Sequence, residues 1–575
     1  MSVFARKRAS VGRKYTSTST SSNVQFSIPN KGNLQGIFEN YLDRTDTKDY
    51  ETLLLMMRDY QLSDENIITL LTEATMCVSV LNEELQLFIE ATLKLDWTTR
   101  SPGVICMFQS FLHALMTVHN CHIKFIINNL VKHFITEDNV QEWVDNEPTK
   151  AESIKYDCIH HVFNIMLKMF PMIKEDIFLE LVSQFPYINK TAHNFEVYLY
   201  NLLRIVDYSP PFRQDILRLI FSKLVLMDAH APKEEISRLE EEEDVFEMDE
   251  KTEMRLPLAH ALDVSMKMIF DNFETICCTP ETKQLDWEKA KGLYLEMLNI
   301  FDEVILPTFN IHHVQFVMYY ICSLKSTFSE AFLNHLWKKI NSTAVPTILK
   351  QSAVYYMGSL IARASFIPLS MLKGTLQQFA EWIHAYILRQ DGLEFVHCDI
   401  RHHSLFYCIC QTLFYVVAFR QKDLVNTKKN ITFLESLNLG KIVLSRLNPL
   451  RVCQPAVVQN FAAVTRTYQL AYCYTVMEHN ARNTMPTIYL DEHGSVVPMK
   501  NVLDCFFPFD PYVLKRSSER VAPHYIKYQE PDCDDMYDDE QKETEEDDFL
   551  NDSRMSKKFS EFSYGTSPGF KMAVS

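Results

Sequence analysis

Glycine is nearly missing from this chain. There are 12 in 575 residues, about 2% against a usual ~7%. Tight hairpins, propeller blades and phosphate-cradling loops all place glycine where the backbone needs positive φ. A chain this poor in glycine has few ways to build a hairpin-rich or doubly wound sheet. Yet 47% of its residues are hydrophobic and 12% aromatic, so most of it must be buried. Helices are the element left to do that.

The spacing of apolar residues agrees. After Pro210-Pro211, the side chains of Phe212, Ile216, Leu219, Ile220 and Leu224 recur at helical intervals. Phe328, Phe332, Leu336 and Ile340 form another stripe, and Thr327-x-x-Glu330 before it reads as a capping box opening a helix over 327–340. Prolines at 102, 171, 186, 210–211, 307, 346, 368 and 449 separate helical segments. Many such segments with short connections predict an all-α, HEAT-repeat-like helical solenoid. No sequence period is visible, and an irregular globular α fold is the alternative. A small hairpin is expected over 486–500, around Glu492-His493-Gly494.

Charge divides the chain further. The net charge is −17, but it is concentrated. Residues 1–38 hold six bases and no acid, residues 233–253 hold 11 acids and 3 bases, and residues 532–548 hold 11 acids and one lysine. The remaining body is close to balanced, so charge argues neither for nor against nucleic acid there. The expected organisation is a disordered basic segment at 1–31, helical repeats over 32–228, a disordered acidic loop at 229–256, helical repeats over 257–517 and a disordered acidic tail at 518–575.

No catalytic signature is present. The chain has no G-x-x-x-x-G-K-[ST], G-x-G-x-x-G, G-x-S-x-G or H-E-x-x-H pattern. His397-Cys398, His402-His403 and Cys408-x-Cys410 are zinc-type ligands, but their spacing matches no closed four-ligand site. The 14 cysteines include no C-x-x-C. Those in apolar runs (Cys106, Cys322, Cys408 and Cys473) read as reduced core thiols. Lys338-Lys339, Lys428-Lys429 and Arg516 are isolated, whereas a nucleic-acid groove needs a row of cations with aromatics. Arg6-Lys7-Arg8 leads into Ser/Thr-rich sequence, not the apolar stretch of a secretory signal, and reads as a nuclear address, a phosphate-contacting arm or a soluble tail. Ser101–Ile123 carries no formal charge, but recurring His, Gln and Asn residues make it a buried helix pair, not a membrane span. No cofactor, membrane or small-molecule substrate is expected.

Several stretches form an ordered series: Leu199-Tyr200-Asn201-Leu202-Leu203-Arg204-Ile205, His313-Val314-Gln315-Phe316, Phe332-Leu333-x-His335-Leu336-Trp337-Lys338-Lys339, Tyr356-Met357-Gly358-Ser359-Leu360-Ile361-Ala362-Arg363-Ala364, Leu447-Asn448-Pro449-Leu450 and Phe506-Phe507-Pro508-Phe509-Asp510-Pro511-Tyr512-x-Leu514-Lys515-Arg516-Ser517. Over about residues 50–517 the chain closely resembles the RNA polymerase I-specific transcription initiation factor family. The resemblance implies a HEAT-repeat fold and no enzymatic activity. It also implies a nuclear, nucleolar factor that binds RNA polymerase I near its stalk and recruits it to the promoter-bound selectivity factor on ribosomal DNA. Regulation by kinases, and homodimers of some free members, belong to the same picture. A nuclear scaffold or transport adaptor of the same architecture is the rival reading.

Within that resemblance, Ile361-Ala362-Arg363-Ala364-Ser365 matches the family's short Leu-Ala-Arg-Ala-Lys segment facing the selectivity factor. Ser365 replaces its lysine and leaves Arg363 as the one cation, expected at the surface. Two sites suit kinases in an acidic or proline-directed setting: Thr544, before Glu545-Glu546-Asp547-Asp548, and Ser567, before Pro568.

Overall fold

The computed structural model describes residues 34–528, apart from 60–61, 137–141, 245–252, 280–282, 394–399, 483–487, 491–495, 499–501 and 504–506. The chain forms two compact units, one from residues up to 133 with 149–181, the other from 134–148 with 182 onward.

The first unit holds α1 (Leu34–Leu42), α2 (Lys48–Asp59), α3 (Asp64–Met76), α4 (Gln86–Leu93), α5 (Pro102–Val118), α6 (Ile123–Lys132), α7 (Lys150–Met169) and most of α8 (Lys174–Ser183). α3 packs on α5, and α5 on α7. The uncharged stretch is not itself a helix pair: it folds as α5, a 3₁₀ turn at Asn120–His122 and the first residue of α6, with a 117° bend between Pro102–Val118 and Asn120–Lys132, and no single described helix is long and apolar enough to cross a membrane. α5 buries Val104, Phe108, Phe111, Leu112 and Leu115. Cys106 lies on its opposite face and is exposed, so the core-thiol expectation fails there. A stripe of spacing three and four leaves the residue two on from Val104 facing outward.

The second unit holds α9 (Ala192–Tyr208), α10 (Arg213–Ala229), α11 (Lys233–Asp244), α12 (Pro257–Cys277), α13 (Trp287–Ile300), α14 (Phe316–Leu324), α15 (Ser326–Asn341), α16 (Thr347–Arg363), α17 (Leu369–Asp391) and α18 (Ser404–Phe419). It continues with α19 (Gln421–Val425), α20 (Lys428–Ser436), α21 (Leu439–Val443), α22 (Pro449–Val452), α23 (Pro455–Thr467) and α24 (Cys473–Arg482). The expected hairpin follows as β1 (Ile488–Leu490) and β2 (Val496–Pro498), antiparallel, with Tyr489 opposite Val497. α9 packs along α12, α14 on α15, α15 on α16, α16 on α18 and α18 on α23. The chain is all-α apart from that hairpin and single bridges, as expected.

α18 is the centre of this unit. Every residue from Phe406 to Phe419 is buried, and a helix apolar all round must be covered on every side. α16 approaches it where Gly358 lies against Thr412: a Cβ at 358 would overlap the Thr412 methyl group. Gly358→Ala is therefore expected to lower stability by about 1–3 kcal/mol. Thr412→Ser, which removes that methyl, should recover part of the loss, and urea midpoints of the single and double variants measure both effects.

Four expectations need correction. The acidic stretch is not all loop, because Lys233–Asp244 is helical and buries Ile236. Glu and Arg are good helix formers, and one apolar anchor is enough to seat them. Nor does the body divide at that stretch, since α9 and α10 before it pack on α12 after it. The folded body also runs past 517, with 3₁₀ turns at Ser517–Arg520 and Ala522–His524. Finally, the helix expected at 327 begins at Ser326 after Lys325 and has no side-chain cap. The capping box instead occurs at Thr149 and Glu152, opening α7.

Candidate functional site: the cradle around Arg363

The motif stretches converge in the second unit because residues 507–528 thread back along four helices. Two buried carboxylates fasten the arrangement. Asp228, at the end of α10, accepts hydrogen bonds from the backbone amides of His312 (3.0 Å), His313 (2.8 Å) and Val314 (2.9 Å) and lies 2.8 Å from His313 Nδ1. Burial alone would push this carboxyl up, but His313 and the amides outweigh it and hold it below the ordinary carboxylate range. Asp263 on α12 accepts from the amides of Arg516 (2.7 Å) and Ser517 (2.8 Å) and from the Ser517 hydroxyl.

Charged pairs extend this fastening. Arg516 meets Glu142 at 3.1 Å, and Glu142 meets His260 at 2.8 Å. The His260 hydrogen bond, with Arg516 beside it, holds Glu142 below its usual range. Arg520 joins Asp271 at 2.6 Å and Glu274 at 2.7 Å. Arg516, expected as an isolated solvated cation, is thus part of the framework.

Aromatic rings fill the space between. Phe316 contacts Phe509 and Tyr512 edge-on, with centroids 5.3 and 4.8 Å apart. Tyr415 stacks on Phe507 at 3.8 Å. Polar ends are matched to backbone: Gln315 Nε2 donates to the Pro508 carbonyl, the Phe509 amide donates to Ser359 Oγ at 2.9 Å, and the Tyr525 hydroxyl donates to the Phe509 carbonyl at 3.0 Å.

The segment 361–365 closes α16 inside this cradle. Ala364 forms an antiparallel bridge with Tyr525, the Ile526 amide donates to the Arg363 carbonyl at 2.7 Å, and the Ser365 amide donates to the His524 carbonyl at 3.0 Å. The Tyr319 hydroxyl sits 3.0 Å from the Arg363 carbonyl and 2.7 Å from that of His524. Arg420 points one guanidinium nitrogen at the carbonyls of Ile361 (3.2 Å), Ala362 (3.5 Å) and Ala364 (3.4 Å). These are the unpaired carbonyls of a helix end, satisfied by a cation.

Arg363 itself is 0% exposed. Its guanidinium lies 3.6 Å from Asp510 Oδ1, 4.6 Å from the Phe419 ring centre and 5.3 Å from that of Tyr525. The expectation of a surface cation here is overturned. Ile361, Ala362 and Ala364 are buried with it, and Ser365 is the exposed member of the segment. A buried arginine between a carboxylate and two rings organises a helix end.

Other sequence candidates are dispersed. Thr544, Ser567, His397 and Cys398 lie outside the described residues. Cys408 and Cys410 are buried in α18, where burial pushes both thiols up, and His403 Nδ1 faces the Tyr386 hydroxyl at 2.7 Å. Among the described residues, no group of three His, Cys, Asp or Glu side chains is placed to hold a metal. Asp228, Asp263 and Arg420 went unrecognised in the sequence. A carboxylate at the end of an apolar helix, such as Asp228, was the available signal.

The comparisons with known proteins follow this geometry. The family model described as "RNA polymerase I specific transcription initiation factor RRN3" matches residues 34–256 and 233–533. The RNA polymerase I-specific transcription initiation factor RRN3 of Mus musculus is 35% identical over 546 residues, covering 88% of this chain and 83% of that protein. The rrn3 factor of Schizosaccharomyces pombe is 24% identical over 89% of this chain and 87% of its own length. The crystal structure of RNA polymerase I transcription initiation factor Rrn3 superposes with a TM-score of 0.67 at 19% identity, covering 87% of this chain and 99% of that one. That structure shares the fold, while the family match spans both helical units and the threaded segment through Ser517. On these grounds the chain belongs to the RRN3 family of RNA polymerase I-specific transcription initiation factors.

Proposed function

We propose that this chain binds RNA polymerase I and brings it to the promoter-bound selectivity factor on ribosomal DNA, in the nucleolus, under control of kinases acting at Thr544 and Ser567. The observation that carries this reading is the family match across residues 34–256 and 233–533, which leaves little of the folded chain for a different role. The factor works by binding and not by catalysis. The selectivity-factor contact is assigned to Ser365, which the buried Ile361, Ala362, Arg363 and Ala364 position, and not to the Arg363 charge. The polymerase is proposed to be bound near its stalk, and the free protein is proposed to form a homodimer, as the family resemblance implies.

Depletion of the protein is expected to stop ribosomal RNA precursor synthesis while transcription by other polymerases continues. Complementation with Ser567→Ala and Ser567→Asp tests the kinase element. A phosphate adds about −1.5 to −2 charge, which is large beside the basic Lys557-Lys558 and Lys571 and small within the acidic run at Thr544. Unchanged precursor synthesis after depletion would overturn the reading.

A further inference from the structure

A second feature of the same unit lies away from the cradle. The turn after α8 and the outer face of α10 enclose a cavity of about 380 Å³, within the range of ligand-sized pockets, roughly 300–1,000 Å³. Its buried wall is apolar, formed by Phe185, Phe195 and Met227. Tyr187 and Leu226 stand at the rim, 77% and 44% exposed. Lys223 is the one charged side chain lining it among the described residues. Its ammonium sits 5.4 Å from the centre of the Phe185 ring, and it makes no ion pair among the described residues. A pocket with an apolar floor, a single cation and no acid selects an apolar side chain flanked by carboxylates.

We propose that this pocket docks the chain's own acidic tail, with Phe549 and Leu550 in the apolar cavity and Asp547 and Asp548 facing Lys223. The complementarity is direct. The run at 532–548, 11 acids against one lysine, ends immediately before Phe549-Leu550. Reach is ample as well. The described chain ends at Tyr528, 21 residues before Phe549, and 21 extended residues span roughly 70 Å. A compact body of about 360 residues has a radius of gyration of roughly 20 Å. Tethering supplies the rest, because an effective concentration of the order of 1 mM half-fills even a contact whose Kd is about 1 mM.

The test uses the full chain with a photoreactive benzoylphenylalanine in place of Phe549. Irradiation is expected to join residue 549 to the 182–188 turn or to residues 223–227 within one chain, as mapped by mass spectrometry of the monomer band. Lys223→Glu should reduce that yield about tenfold. Combining Lys223→Glu with Asp547→Lys and Asp548→Lys should restore it, which a merely disrupted pocket could not do. Crosslinks confined to other surfaces, crosslinks between two chains, or a yield unaffected by Lys223→Glu would each overturn the proposal.

Discussion

Arg363→Glu is expected to leave little folded protein. Its side chain is fully buried between Asp510, Phe419 and Tyr525. The substitution sets a second carboxylate beside the half-buried Asp510, at a position that itself has no access to water. Breaking a buried pair in this way costs about 3–5 kcal/mol, a large share of the 5–15 kcal/mol that holds a typical domain together. A cation exposed at the surface would change stability by no more than about 0.5 kcal/mol on charge reversal, so a denaturation curve separates the two placements. Arg363→Met, which keeps the length and apolar contacts of the stem, should be the milder variant. If Arg363→Glu unfolds at the same urea concentration as the parent, the buried placement is wrong.

Asp228→Ala carries the second large effect. It strips three backbone amides and His313 of their shared acceptor in a site with no exposure. Each orphaned buried donor costs about 1–3 kcal/mol, so a total loss of about 3–5 kcal/mol is expected. Asp228→Asn keeps one acceptor oxygen and should lose less. The pH dependence has a defined sign. The folded carboxyl titrates below its unfolded value, which is about 3.9. Its stabilising contribution is therefore fully present above that unfolded value and is lost as pH falls through the folded one. The stability gap between the parent and Asp228→Asn should stay level from neutrality to about pH 5 and close in stronger acid. A gap that widened on acidification would contradict the depressed carboxyl.

Much of this fold was legible because it is written in local spacing. The stripes Phe212, Ile216, Leu219, Ile220, Leu224 and Phe328, Phe332, Leu336, Ile340 are all buried, and the strands Ile488–Leu490 and Val496–Pro498 pair within the stretch 486–500 expected to hold a hairpin. What local spacing cannot carry is partnership between distant segments. Asp263 and Ser517 are separated by 254 residues, and neither has a neighbour in sequence that announces the other. Arg363 was misplaced for the same reason. A cation at a helix end before proline reads as solvated until Tyr525, 162 positions later in the numbering, is seen bridging Ala364. The motif stretches Tyr356–Ala364 and Phe506–Ser517 identified the family while saying little about its binding surface, because in the structure the described residues of these stretches mostly face one another.

The threaded segment also sets a timetable for synthesis. Asp263 and its partner Ser517 leave the ribosome 254 residues apart, a delay of roughly 13–50 s at 5–20 residues per second. From the time each is made, the faces of α14, α16 and α18 that will hold Phe507, Phe509 and Tyr512 lack these partners until the segment follows, and transiently exposed apolar surface is aggregation-prone. A chain released before Phe507 lacks these rings and leaves that surface uncovered. The apolar faces of this unit are therefore covered only once translation has passed residue 512.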